Sequence, residues 1–215
     1  MAAKRKEKAT ELPRPSKIVC IGRNYLEHAR ELGNEMPERP LIFLKPPSAL
    51  VGHGDAIVLP PESERVEHEG EIAVVIGTRA RHIAPEDALA HVAGYAALND
   101  VTARDLHRGD GQWTRAKGFD TFCPLGEMVG ADDVDPAELE VRCRVNGVVR
   151  QQGSASQMAW AIPELVAYIS GVMTLEPGDV IATGTPAGVG PLVAGDEVEV
   201  EVVGVSTVRN RVEAG

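Results

Sequence analysis

Glu67-His68-Glu69-Gly70-Glu71-Ile72-Ala73-Val74-Val75-Ile76-Gly77 is the stretch from which the fold and a candidate site can both be read. In an extended strand, residues two apart share a face. Glu69 and Glu71 therefore project together, in line with Ala73 and Val75, while Ile72, Val74 and Ile76 take the other face. Two neighbouring carboxylates leading into an apolar run are costly unless a cation neutralises them. The same spacing also fits a strand that enters from solvent with two wet glutamates, as edge strands do. His68 is out of phase with both glutamates, which points to a supporting or surface role.

A second apolar run, 95–98, leads into Asn99-Asp100-Val101-Thr102. An acid at the end of a strand is well placed as a ligand; it is equally a turn or helix cap for residues 102–107. Together with Glu69 and Glu71, Asp100 would complete a hard oxygen site suited to Mg²⁺ or Mn²⁺ rather than zinc.

Further short Val- and Ile-rich runs lie at 17–21, 41–44, 56–59, 139–145 and 180–183, bounded by Gly and Pro. Residues 197–203 and 207–212 alternate charged and apolar side chains, the mark of strands with one wet face. Asn146-Gly147 between two such runs predicts a tight hairpin. Helical signals are fewer: 24–32 ending at Gly33, 85–92 with Pro in its first turn, and 163–171. These patterns predict a β-rich α+β domain, a mixed β-sandwich roll with a few short helices. The alternation of strands and long helices that a dinucleotide-binding fold needs is absent.

The chain has 215 residues, 43% apolar and 25% charged, enough for one domain with a real core. Its formal charge of −10 argues against sequence-independent nucleic-acid binding and against docking on anionic membranes. Nothing approaches an 18-residue apolar run, so no transmembrane helix is expected. Met1 to Lys8 is basic, with no apolar stretch or cleavage site after it. Residues 1–15 are read as a flexible tail and 16–215 as one catalytic domain. Cys20, Cys123 and Cys143 are scattered and lack metal-ligand spacing, so they read as buried apolar residues in a reducing, cytoplasmic protein.

On the first predicted helix, His28 and Glu31 are three apart and within reach of one another. A carboxylate beside an imidazole orients it and raises its basicity, which is how a water is activated; an ordinary exposed pair has the same spacing. Lys117 lies between Trp113 and Phe119, where it could meet an acidic substrate. The loop Ala182-Thr183-Gly184-Thr185-Pro186-Ala187-Gly188-Val189-Gly190 offers backbone N–H groups to a carboxylate, or is a plain tight connection. It lacks the spacing of a phosphate-binding P-loop.

Six segments in order, IGRNYLEHARELG (21–33), PLIFLKPPSALVG (40–52), HEGEIAVVIG (68–77), GYAALNDVTARD (94–105), AKGFDTFCPLG (116–126) and LEPGDVIATGTPAGVGPL (175–192), resemble the fumarylacetoacetate hydrolase family. The length resembles its compact single-domain branch, which includes acylpyruvases and oxaloacetate decarboxylases. The resemblance implies a homodimer, with Mg²⁺ or Mn²⁺ on Glu69, Glu71 and Asp100. It implies a catalytic His28–Glu31 dyad on a lid, Lys117 as a further catalytic residue, and Arg23, Arg104 and Thr185 at the substrate. The implied substrate is a small 2-oxo acid. The expected reaction is C–C cleavage of an acylpyruvate such as acetylpyruvate or fumarylpyruvate to pyruvate and a carboxylic acid, through an enolate that the metal stabilises. Oxaloacetate decarboxylation and a hydroxymuconate-type isomerisation or decarboxylation are the alternatives, and a non-catalytic metal-binding relative is a more distant one. Two positions depart from the family pattern: His107 stands where compact relatives often have Gln, and Glu67 where some have a further His.

Overall fold

The computed structural model describes residues 14–31, 33 and 35–215; most of the expected N-terminal tail, and Leu32 of the first predicted helix, lie outside the described residues. Two sheets carry the architecture. The larger has six strands in the order Val129–Gly130, Val92–Asn99, Gly70–Ile76, Val180–Ala182, Ile18–Gly22 and Leu41–Lys45. It is mixed, because Ile18–Gly22 runs parallel to Val180–Ala182 and antiparallel to Leu41–Lys45. The second has five strands in the order Val148–Ser154, Glu140–Val145, Glu197–Val202, Ser206–Ala214 and Ala56–Leu59.

The sequence pattern explains the layering. Gly70–Ile76 is buried along its whole length, so a continuous apolar run suits it. It sits inside the larger sheet, which removes the reading of Glu69 and Glu71 as wet residues of an edge strand. In Glu197–Val202 the valines face the core while Glu199 and Glu201 pair with Arg144 of the neighbouring strand at 2.9 Å. Ile72, Val74 and Ile76 meet Val198, Val200 and Val202 in one apolar core between the sheets. The sheets pack tightly at Gly70, where an added Cβ would lie 2.9 Å from the Cys143 Cβ.

Asn146 and Gly147 take φ values of 52° and 76°, the two left-handed residues of a tight hairpin that pairs Val145 with Val148. The helices are short: Leu26–Glu31, Arg104–Gly109, Thr114–Lys117 and Ile162–Val172. The predicted helix from Pro85 forms as a 3₁₀-helix, Pro85–His91, with no side-chain cap at its start and a strand beginning at Val92. Arg104–Gly109 lies where the sequence admits a helix over residues 102–107 as an alternative, and Thr114–Lys117 escaped sequence reading because one turn shows no periodicity. All three cysteines are free and buried. No helix among the described residues is long and apolar enough to cross a membrane.

Candidate active site

Adjacent strands bring the acids together. Gly70 pairs with Asn99 and Glu71 with Leu98, and the Asp100 N–H donates to the Glu69 carbonyl at 2.8 Å. This register places Glu69, Glu71 and Asp100 at one end of the sheet, each with a carboxylate oxygen within 4.8 Å of the others. Their exposures are 5%, 2% and 1%. The alternative of Asp100 as a helix cap is overturned, because Arg104–Gly109 begins from Ala103 with no side-chain cap.

Buried cations link these acids in an alternating chain. Lys45 Nζ donates to Asp100 Oδ1 at 2.6 Å, and Lys117 Nζ to Asp100 Oδ2 at 2.6 Å and to Glu69 Oε2 at 2.8 Å. Arg104 pairs with Glu69 through Nη2 and with Glu67 Oε2 through Nε at 2.6 Å. Burial opposes ionisation of Glu69, but Lys117 and Arg104 hold its carboxyl well below the usual range. Glu71 differs: it has no cationic partner among the described residues and accepts only the Gly184 N–H, at 2.8 Å. Burial, then Asp100 and Glu69, push its carboxyl well above the usual range. Buried Glu67, Glu69 and Asp100 are each paired with a cation, Glu67 with Arg65 and Arg104, Glu69 with Arg104 and Lys117, and Asp100 with Lys45 and Lys117, whereas Glu71 is paired with none among the described residues. A cluster of hard oxygen donors that includes a carboxylate with no such cationic partner fits a divalent cation of the Mg²⁺ class.

A narrow cleft opens over the triad. Of the nine residues singled out in the sequence, Arg23, His28, Glu69, Glu71, Asp100, Arg104, Lys117 and Thr185 line it; Glu31 stands behind His28. His28 Nδ1 is 3.2 Å from Glu31 Oε2, which leaves Nε2 as the ring nitrogen without a partner among the described residues. Both Glu31 oxygens accept the Gly188 N–H, at 3.0 and 3.1 Å. The glycine-rich loop does present N–H groups to carboxylates, but they are the chain's own Glu71 and Glu31. Lys117 is likewise engaged by Glu69 and Asp100, where sequence reading set it against a substrate anion. Arg23 has a φ of 59°, held from behind by Asn24, whose amide bonds Thr183 and Trp160.

Residues 17–213 match the family model described as fumarylacetoacetate (FAA) hydrolase C-terminal. The chain belongs to the fumarylacetoacetate hydrolase family. It is 47% identical over 210 residues to the mitochondrial oxaloacetate tautomerase FAHD2A of Homo sapiens, a match that covers 93% of this chain and 67% of that protein. It is 48% identical to 5-carboxymethyl-2-hydroxymuconate delta-isomerase from Mycobacterium smegmatis, with a TM-score of 0.87 over 94% of this chain and 80% of that one. It is 42% identical to the fumarylacetoacetate hydrolase of Exiguobacterium antarcticum, with a TM-score of 0.86 over 95% of this chain and 76% of that one. A mitochondrial relative leaves the cytoplasmic expectation without support from the comparison.

The departures from the fumarylacetoacetate hydrolase pattern have structural consequences. His107 stacks on Trp113 at 4.5 Å, and Trp113 meets Phe43 edge-on at 5.1 Å, so an aromatic wall closes one side of the cleft. Burial, then Lys117 and Arg104, hold the His107 imidazole down at about 4, so it is neutral near pH 7. Glu67 is buried between Arg65 and Arg104. His68 is buried too, with Nδ1 2.9 Å from Gln151 Oε1, which removes its surface reading. Sequence reading missed Lys45, Phe43 and Gln151. Only Lys45 left a signal, as the single charged residue ending an apolar run.

Proposed function

We propose that this family member is a divalent-cation-dependent enzyme of small 2-oxo acids, in which His28, oriented by Glu31, moves a proton. The observation that carries this reading is the His28–Glu31 pair at 3.2 Å in the cleft that also holds Glu69, Glu71 and Asp100. A cation on these three carboxylates would act as a Lewis acid toward the carboxylate and keto oxygens of the substrate. Glu31 accepts from His28 Nδ1–H and so presents a bare Nε2 to the cleft. In the keto form of a 2-oxo dicarboxylic acid, Nε2 takes the C3 proton and returns it to the enolate oxygen, which interconverts keto and enol forms with no net proton change. Arg23 supplies positive charge for a distal carboxylate, and Thr185 lines the floor. Keto–enol tautomerisation is supported by the likeness to an oxaloacetate tautomerase and to a hydroxymuconate isomerase.

The acylpyruvate hydrolysis expected from the sequence is the second reading, supported by the likeness to a fumarylacetoacetate hydrolase. There His28 Nε2 takes a proton from water, which attacks the distal carbonyl. Oxaloacetate decarboxylation asks less of the dyad. The family's dimeric state, and residues 16–215 as one catalytic unit, are part of this proposal. Light scattering tests the first and the activity of a chain shortened to residue 16 tests the second. The deciding assay follows oxaloacetate, acetylpyruvate, fumarylpyruvate and a hydroxymuconate with Mg²⁺, reading enol absorbance, pyruvate and CO₂ separately. Fast enol–keto exchange without pyruvate or CO₂ supports tautomerisation; rapid pyruvate release from an acylpyruvate supports the second reading. No turnover of any of them defeats both.

A further inference from the structure

The strand Val180–Ala182 pairs with Gly70–Ile76 only as far as Ala182 opposite Ala73. Beyond that point Thr183 and Thr185 continue the ladder, increasingly through their hydroxyls. The Ile72 carbonyl accepts the Thr183 N–H at 3.1 Å and its hydroxyl at 2.8 Å. The Gly70 carbonyl accepts the Thr185 hydroxyl at 2.8 Å. The Gly70 N–H reaches across to the other sheet and donates to Gln151 Oε1 at 3.0 Å.

Gln151 is 2% exposed and fully engaged. Its Nε2 donates to Thr185 Oγ1 at 2.7 Å and to the Pro186 carbonyl at 2.8 Å, while Oε1 also meets His68 Nδ1 at 2.9 Å. A backbone N–H only donates and a backbone carbonyl only accepts, so Gly70 and Pro186 fix which end of the amide is which. Thr185 must then accept from Nε2, and its single proton goes to the Gly70 carbonyl. The result is a closed ring of polar contacts, Gly70 N–H to Gln151 to Thr185 and back to the Gly70 carbonyl. Gly70 is the residue between Glu69 and Glu71.

We propose that Gln151 is a positioning residue: it clamps both polar groups of Gly70 and thereby holds the Glu69 and Glu71 carboxylates at the spacing at which they share one divalent cation. The proposal rests on the reading of the triad as a cation site. Partners that orient metal ligands are commonly worth about 10–100-fold in affinity. Gln151→Met keeps the length and removes every polar contact.

Mn²⁺ alone is titrated into the metal-free full chain by calorimetry, for wild type, Gln151→Met, Thr185→Val and the double variant, each first checked by circular dichroism and melting. Gln151→Met should weaken Mn²⁺ binding by about 10–100-fold. Thr185→Val should also weaken it, and the double variant should lose less than the product of the two, because either change opens the same ring. A glutamine that only stabilises the fold would lower the melting temperature and leave the affinity of the folded protein unchanged. That result, or losses that multiply, overturns the proposal. If Gln151→Met does not fold, an unchanged affinity in Thr185→Val overturns it instead. A wild type that takes up no Mn²⁺ overturns the triad as a cation site and this proposal with it, whereas wild-type binding with unchanged variants overturns the role of Gln151 alone.

Discussion

Glu71 Oε2 accepts the Gly184 N–H at 2.8 Å, and among the described residues this is the only hydrogen bond that carboxylate receives. One backbone amide is poor compensation for a buried acid set beside two others. Glu71→Gln should therefore raise the melting temperature of the metal-free protein at neutral pH. Relief of 1 kcal/mol corresponds to about 2–4 °C for a chain of this size. The same variant should show no further rise on adding Mg²⁺, while wild type does. Differential scanning calorimetry of both proteins, with and without Mg²⁺, measures the two signs; a lower metal-free melting temperature for the variant would contradict the repulsion argument.

Replacing His28 separates proton transfer from cation binding. Loss of a positioned general base costs about 10²–10⁴-fold. His28→Ala should lower oxaloacetate tautomerisation, or acylpyruvate cleavage, by about that factor, and should spare decarboxylation relative to both. Glu71→Ala should damage all three. Equal losses in every reaction for His28→Ala would remove the base assignment and leave the imidazole a role in closing the cleft.

Asp179 ties Ser16 and Lys17 to the core. Its carboxylate accepts from the Ser16 N–H at 2.9 Å, the Ser16 hydroxyl at 2.7 Å, the Lys17 N–H at 3.2 Å and the Glu176 N–H at 2.8 Å, and it pairs with Lys17 Nζ. Burial alone would raise its pKa, but the Glu176 amide, Lys17 and Ser16 bring it below the ordinary value. A depressed folded-state pKa means stability that is present above the unfolded value of about 3.9 and is lost as pH falls through the folded one. Asp179→Asn should therefore cost about 1.5–3 kcal/mol at pH 7, the range for hydrogen bonds to a charged group. The gap to wild type should narrow below about pH 4. Urea unfolding at pH 7 and pH 3 checks both; a gap that widens in acid has the wrong sign.

Gly70→Ala tests the close approach of the sheets. The added Cβ would sit 2.9 Å from the Cys143 Cβ and 3.4 Å from Val200 Cγ1, with a strand backbone behind each. Overpacking of this kind costs about 1–3 kcal/mol. Because residue 70 lies between two of the site's acids, Mn²⁺ affinity should fall in the same variant. Normal stability with normal affinity would mean that the sheets part without disturbing the carboxylates.

The legible part of the site is the part with local geometry. Glu69 and Glu71 could be placed on one face because a strand alternates, and His28 with Glu31 because a helix repeats. Asp100 showed only as an acid ending an apolar run. What stayed hidden depends on pairing across the chain. Lys45 reaches Asp100 over 55 residues and Gln151 reaches Gly70 over 81, and no pattern in either segment announces the contact. The hairpin at Asn146-Gly147 was readable because two left-handed residues leave few choices. The 3₁₀ form of Pro85–His91 was not, since composition does not separate that geometry from an α-helix.

The alternating chain from Lys45 through Asp100, Lys117, Glu69 and Arg104 to Glu67 also constrains how this sequence can drift. Removing one member of a buried ion pair strands its neighbour and costs about 3–5 kcal/mol, a large share of the stability of any domain. Single steps at these positions are therefore blocked, while compensated double steps remain open. In a library randomised at positions 45, 67, 100, 104 and 117, the folded survivors should carry correlated changes of opposite charge. The interior behaves less like separate residues under selection than like one inherited unit that is exchanged in pairs or not at all.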